Sequence, residues 1–163
     1  MLQHASHWVL LPALMPGHDG HPHQLSAVEA ALLMIAAPSP ESRVGLIGPN
    51  TLELLCALLR HGSIDVAATR VCDRPHAGTA DMAIIAHVLS PDCLERAIAH
   101  ARRILAPLGT VAIHLAADPA DALSQQAGHL PLLHGFDPIR VFDHGGETLI
   151  RGELPLHGCL ACA

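Results

Sequence analysis

The most informative pattern of apolar and polar positions in the chain lies between Asp81 and His114, DMAIIAHVLSPDCLERAIAHARRILAPLGTVAIH. Met82 to Leu89 is a continuous apolar run, too short for a membrane span and too unbroken for a half-exposed strand. It predicts a strand covered on both faces. Ser90-Pro91-Asp92 then opens a helix, with Ser as N-cap, Pro where its missing N–H costs nothing, and Asp at the positive end of the dipole. Leu94, Ala97, Ile98, Ala101 and Leu105 recur at three- and four-residue spacing, while Glu95, Arg96, Arg102 and Arg103 fall mostly on the other side. Pro107 and Gly109 close this helix, and Thr110 to Leu115 returns as a second apolar strand. Two buried strands joined by one helix imply a right-handed crossover in a parallel sheet.

The rest of the chain falls into place around this unit. Residues 1–23 read as an N-terminal arm, with the short apolar piece WVLLPALM followed by the turn-rich GHDGHPH. Gln24 to Ala37 predicts a helix, opened by a Ser26/Glu29 capping box and carrying Val28, Leu32, Leu33 and Ile35 on its apolar face. Arg43 to Gly48 predicts a strand, and Thr51 to His61 a helix capped by Asn50 and Glu53. Leu52, Leu54, Leu55, Leu58 and Leu59 surround that helix, which predicts deep burial. Ile64 to Cys72 is the next strand, and a weaker helix starts at Asp118-Pro119 and fades by Gly128. Two strand-like runs flank His144-Gly145-Gly146, a hairpin signal. The domain spans 24–155, and 156–163 form a tail.

With 163 residues the chain suits one domain with a single core. Half of it is hydrophobic, yet it has two Phe, one Trp and no Tyr, so the core is aliphatic and offers few surfaces for stacking bases. A formal charge of -6 argues against nucleic acid as the partner, and no segment is long enough to span a bilayer. Five Cys without framework spacing point to a reducing compartment, so the expected location is cytoplasmic. Fourteen His are enough to reverse the net charge on acidification, but their scatter reads as surface positions that Lys and Gln would otherwise fill. The apolar arm and the apolar helix after Gly48 point to a homo-oligomer.

A leading helix, a strand-turn-helix with glycines, a parallel core and a closing hairpin resemble the class I S-adenosylmethionine-dependent methyltransferases. The string D-M-A-I-I-A-H-V-L, then L-x-x-A-x-x-x-A-R-R-I-L-A-P-L-G-T-V-A-I, is similar to that family's fourth strand, following helix and fifth strand. The resemblance covers Ser26 to Leu154. It implies an α/β fold of three layers, a Rossmann-like, mostly parallel sheet with a C-terminal antiparallel hairpin, and S-adenosylmethionine as cofactor. Such a sheet binds its ligand outside the carboxyl ends of its strands. By this resemblance Gly45, Gly48 and Asn50 of V-G-L-I-G-P-N are cofactor-binding residues. Leu46 stands where the family has an acid that accepts hydrogen bonds from the cofactor's methionine part, and Asn50 where it has a second glycine. Asp73 matches the acid that holds the ribose hydroxyls, and the loop RPHAGTA after it is too short for the family's next helix and strand. His87 falls at the position facing the transferred methyl, where a neutral imidazole can take a proton from a nucleophile.

Three functional readings follow: a methyltransferase acting on a small-molecule or protein substrate, a non-catalytic binding or assembly module of the same fold, and a metal-binding protein. The last rests on Cys159-Leu160-Ala161-Cys162 after His157, which with His18, Asp19, His21 and His23 would suit zinc if the two ends meet. A single C-x-x-C at a chain end is too unspecific to assign metal ligands.

Overall fold

A computed structural model of the protein describes residues 25–63, 65–70, 77–116, 123, 127 and 129–156. The described chain runs α1 (Ala27–Ala36), β1 (Val44–Ile47), α2 (Leu52–Arg60), β2 (Val66–Thr69), β3 (Ala80–Val88), α3 (Pro91–Ile104), β4 (Leu105–Leu115), α4 (Leu130–Leu133), β5 (Ile139–His144) and β6 (Glu147–Glu153). Six strands form one sheet in the order β2-β1-β3-β4-β6-β5. The first four are parallel, β6 runs against β4, and β5 runs against β6.

The chain leaves β1 for β2 in one direction across the sheet and β3 for β4 in the other. Crossovers of one hand must then place their helices on opposite faces. So it is here. Leu32 and Ala36 of α1 and Leu54 and Leu58 of α2 pack with Leu46, Ile84, Ala86 and Leu149 on one face. On the other, Leu94, Ile98 and Ile104 of α3 pack with Ile85, Ile113 and Ile150, joined by Leu123, Ala127 and Phe136. Helix, sheet and helix make the three layers, and the central strands β1 and β3 and the second half of β4 are buried from both sides, as the continuous apolar runs predict.

Local chemistry sets the ends of these elements. Ser26 Oγ accepts from Glu29 N at 3.1 Å and Glu29 Oε2 accepts from Ser26 N at 2.9 Å, which completes the capping box of α1. Ser90 Oγ accepts from Cys93 N at the start of α3. Gly145 and Gly146 have φ of 63° and 84°, the primed-turn geometry that matches strand twist in a two-residue hairpin. Arg43 and Asp81 tie the starts of β1 and β3 through a two-pronged contact, Nη2 to Oδ1 at 2.7 Å and Nε to Oδ2 at 3.0 Å. Hydrogen bonding from Arg43 holds the Asp81 carboxyl below its ordinary value.

Four expectations need correction. The N-cap of α2 is Thr51, because Asn50 takes a left-handed conformation with φ of 53°. Helix α2 is amphipathic rather than deeply buried: Leu54 and Leu58 are fully covered, while Leu52 and Leu59 are each 53% exposed, since only one face meets the sheet. Helix α3 ends at Ile104, and Leu105 already pairs with Ala80 before an irregularity around Pro107 to Gly109. Helix α4 is absent from the sequence reading, being too short to show a period. The arm at 1–23, most of the tail and most of the weak helix after Asp118 lie outside the described residues, though Leu123 and Ala127 are helical and buried.

Candidate functional site

The sheet changes direction of connection between β1 and β3, and the crevice this leaves at their carboxyl ends is the natural ligand position. Gly48 closes β1 with φ of 132°, and a Cβ built there would overlap the Ala86 carbonyl oxygen of β3. Only glycine allows the loop Gly48-Pro49-Asn50 to approach the neighbouring strand so closely. The loop leads into α2, whose N-cap Thr51 makes no side-chain capping hydrogen bond and whose first turn carries Glu53. The first N–H groups of a helix have no partner within the helix itself, so this end of α2 is a place where a ligand could be received.

Beside this loop, β3 carries a bulge. Ile85 pairs with Ile113 and Val88 with Leu115, so Ala86 and His87 together stand opposite the single residue His114. His87 has φ of 56°, uncommon for a non-glycine residue. The bulge changes the face to which His87 points. Strict alternation from Ile85 would send its side chain toward α3; instead it meets Glu29 of α1, Nε2 to Oε1 at 3.5 Å. His87 also packs edge-on against His114, ring centroids 5.2 Å apart. His114 Nε2 is 2.9 Å from Glu147 Oε2 at the start of β6. Glu29, His87, His114 and Glu147 thus form a row along the carboxyl edge of the sheet, drawn from α1, β3, β4 and β6.

Two members of the row are largely removed from water, the side chains of His114 and Glu29 being 3% and 8% exposed, while those of His87 and Glu147 are 28% and 36% exposed. Burial lowers the His114 pKa from its ordinary value, against an opposing hydrogen bond from Glu147. Neighbouring His87 pushes the same way as burial and Glu29 pushes against it. In the neutral ring, Nε2–H donates to Glu147, which leaves Nδ1 a buried acceptor without a donor among the described residues. An imidazole kept neutral by burial favours the folded state only while the unfolded chain is also neutral. Stability is therefore full above the unfolded imidazole value, about 6.5, and is lost as pH falls through the lower folded value. Thermal melts between about pH 5 and pH 8 should show His114→Gln flattening the acid limb relative to the unsubstituted protein; parallel curves would disprove the assignment.

The sequence-derived candidates separate in space. Gly48, Asn50 and His87 come together around the crevice. Gly45 lies in the middle of β1, between Ala67 and Ala83, with Ile104 of α3 filling the space a side chain would take. Asp73 lies outside the described residues, as do His18, Asp19, His21, His23, Cys159 and Cys162. Among the described residues no group of three His, Cys, Asp or Glu is placed to hold a metal ion, and no helix is long and apolar enough to cross a membrane. Leu46, at the family's acidic position, is fully buried on the α1 and α2 face. Glu29 and Glu147 were not marked by the sequence: Glu29 reads fully as a cap, and nothing local links Glu147 to His114.

A parallel sheet with this strand order, a glycine turn at its switch point and a closing hairpin is the fold of the class I S-adenosylmethionine-dependent methyltransferases. The chain is similar to a Thermotoga maritima protein described as a possible histamine N-methyltransferase, at 15% identity and TM-score 0.50, over 77% of this chain and 88% of that one. It is also similar to the tRNA (m1A58) methyltransferase TrmI of Aquifex aeolicus, at 10% identity and TM-score 0.60, over 84% and 72% of the two chains. A third similar structure is the [4+2]-cyclase SpnF, at 10% identity and TM-score 0.57, over 79% and 80%. Likeness at such identities is one of fold, and a cyclase among the three shows that the fold does not dictate the reaction. No protein-family model matches the chain, and no curated protein matches it in sequence.

Proposed function

We propose that the protein binds S-adenosylmethionine at the carboxyl ends of β1 and β3 and transfers its methyl group to a small-molecule or protein substrate. The observation that carries this is Gly48, seated against Ala86 at the switch point and one residue away from the reoriented His87. The residues present fit the cofactor: a glycine turn gives close backbone approach, and a buried carboxyl and two imidazoles line the edge beside it. When bound, the cofactor supplies an electrophilic methyl on a sulfonium. The Gly48-Pro49-Asn50 loop and the first turn of α2 hold ligand against the strand ends. His87, partly open to solvent, accepts the proton that a hydroxyl or amine nucleophile gives up. The remaining contribution is alignment, since methyl transfer from a sulfonium needs no nucleophilic side chain. A net charge of -6 favours substrates other than nucleic acid.

Titration calorimetry and thermal melting with S-adenosylmethionine and S-adenosylhomocysteine test the binding half. A ligand at about a hundredfold over its Kd should add about 2.7 kcal/mol, roughly 5–10 °C in Tm for a chain of this size. No heat and no thermal shift at millimolar ligand would sink it. The buried Leu46 favours a second reading, a non-catalytic binding or assembly module of the same fold; a folded protein that gives no heat with S-adenosylmethionine or S-adenosylhomocysteine is its signature.

A further inference from the structure

We propose that Glu29 of α1 takes the place of the acid missing from β1 and receives the ammonium of the ligand's amino-acid end. The inference rests on the cofactor reading above and specifies how that site is built. A cationic amino group entering a crevice shielded from water requires a counter-charge. On β1 none is available, because Leu46 is buried in the core and Ile47, Gly48 and Pro49 carry no charge. The described structure brings two acids to the same edge from other elements, Glu29 and Glu147; Glu147 Oε2 is engaged by His114 Nε2 at 2.9 Å and its side chain is 36% exposed, whereas Glu29 is the buried one. Its side chain is only 8% exposed, unusual for a glutamate in the first turn of a helix.

The two oxygens of Glu29 are not equivalent. Oε2 accepts from Ser26 N at 2.9 Å and is committed to the cap. Oε1 faces His87 Nε2 at 3.5 Å, longer than the 2.7–2.9 Å usual for a charge-assisted hydrogen bond, and the described residues offer it no closer donor. His87 follows Ala86, whose carbonyl oxygen is the atom that a Cβ at Gly48 would overlap, so the residue that Oε1 faces is next in the chain to the one beside the glycine turn. Helices α1 and α2 pack on the same face of the sheet, so Glu29 and α2 lie on one side of it. A buried carboxyl with one oxygen fixed and the other underused is a fitting receptor for an ammonium. The adjacent His114 has a buried Nδ1 without a donor among the described residues.

The experiment uses the full chain and two probes: S-adenosylhomocysteine, which has the amino-acid end, and 5′-methylthioadenosine, which lacks it. Glu29→Gln keeps the capping box, since Gln serves at that position, and removes the charge. Calorimetry should show S-adenosylhomocysteine bound about ten to a hundred times more weakly by the variant, the loss expected for a charged hydrogen bond, with 5′-methylthioadenosine changed less than about twofold. Ser26→Ala should do the reverse, lowering Tm through the lost cap while leaving both affinities in place. Unchanged S-adenosylhomocysteine affinity in Glu29→Gln, or equal loss for both probes, overturns the role of Glu29 and leaves the cofactor reading standing. Failure of both probes to bind the unsubstituted protein overturns the cofactor reading and the inference together.

Discussion

Gly48→Ala should destabilise the protein by about 3 kcal/mol or more and abolish ligand binding in whatever fraction stays folded. Two costs add. A φ of 132° is a conformation that side-chain-bearing residues rarely adopt, and the new Cβ would overlap the Ala86 carbonyl oxygen. That oxygen belongs to the backbone of a central strand paired on both sides, so it cannot move aside without disturbing β1 and β4. The expected Tm loss is roughly 6–12 °C by circular dichroism. Gly45→Ala is the informative contrast. Its Cβ would meet Ile104 Cδ1 at 2.6 Å, the far end of a side chain that can rotate away, and its φ is ordinary. Gly45→Ala should therefore cost less and leave S-adenosylhomocysteine affinity unchanged in the folded protein. Equal effects of the two substitutions on binding would refute the placement of the site at the end of β1.

Phe136→Ala should be the most damaging core truncation, costing about 3–5 kcal/mol, or roughly 6–20 °C in Tm. Phe136 is fully buried against the α3 face of the sheet. It fills the space over Gly152, where a built Cβ would come within 3.1 Å of Phe136 Cβ. Among the described residues Phe136 is the one buried Phe, Tyr or Trp, so none of them offers a second such ring to expand into the cavity. Phe142→Ala gives the comparison, because that ring is 37% exposed on the edge strand β5. A loss for Phe142→Ala as large as that for Phe136→Ala would contradict the packing described.

Much of the fold was legible because its signals are local. The Ser26/Glu29 box, the Ser90-Pro91 start and the Gly145-Gly146 turn each depend on a few neighbouring residues, and each appears where the sequence placed it. Continuous apolar runs identified buried strands, since burial on both faces removes alternation. Errors arose where geometry depends on distant contacts. Five leucines around α2 suggested a helix covered on all sides, but coverage is decided by how far the sheet extends beneath it. Asn50 was a reasonable cap by residue type, yet the loop's passage past Ala86 requires a left-handed residue there and moves the cap to Thr51.

The site divides in the same way. Its position, at the ends of β1 and β3, follows from the glycine turn and the crossover pattern, and both are written in the sequence. Its chemistry does not. Which way His87 faces is set by a one-residue bulge that exists only in the pairing of β3 with β4, and an extra residue in a strand looks like any other strand residue in a linear chain. Glu29, His87, His114 and Glu147 come from four separate elements, and the electrostatic surroundings of His114 are made by the other three. The sequence by itself determined most of the helices and strands and pointed to the carboxyl ends of the strands as the candidate ligand position, because those depend on periodicity and capping. Tertiary structure alone decided that a helix-capping glutamate stands beside a histidine at that edge, because burial and electrostatic contact are properties of what packs together, not of what is adjacent in the chain.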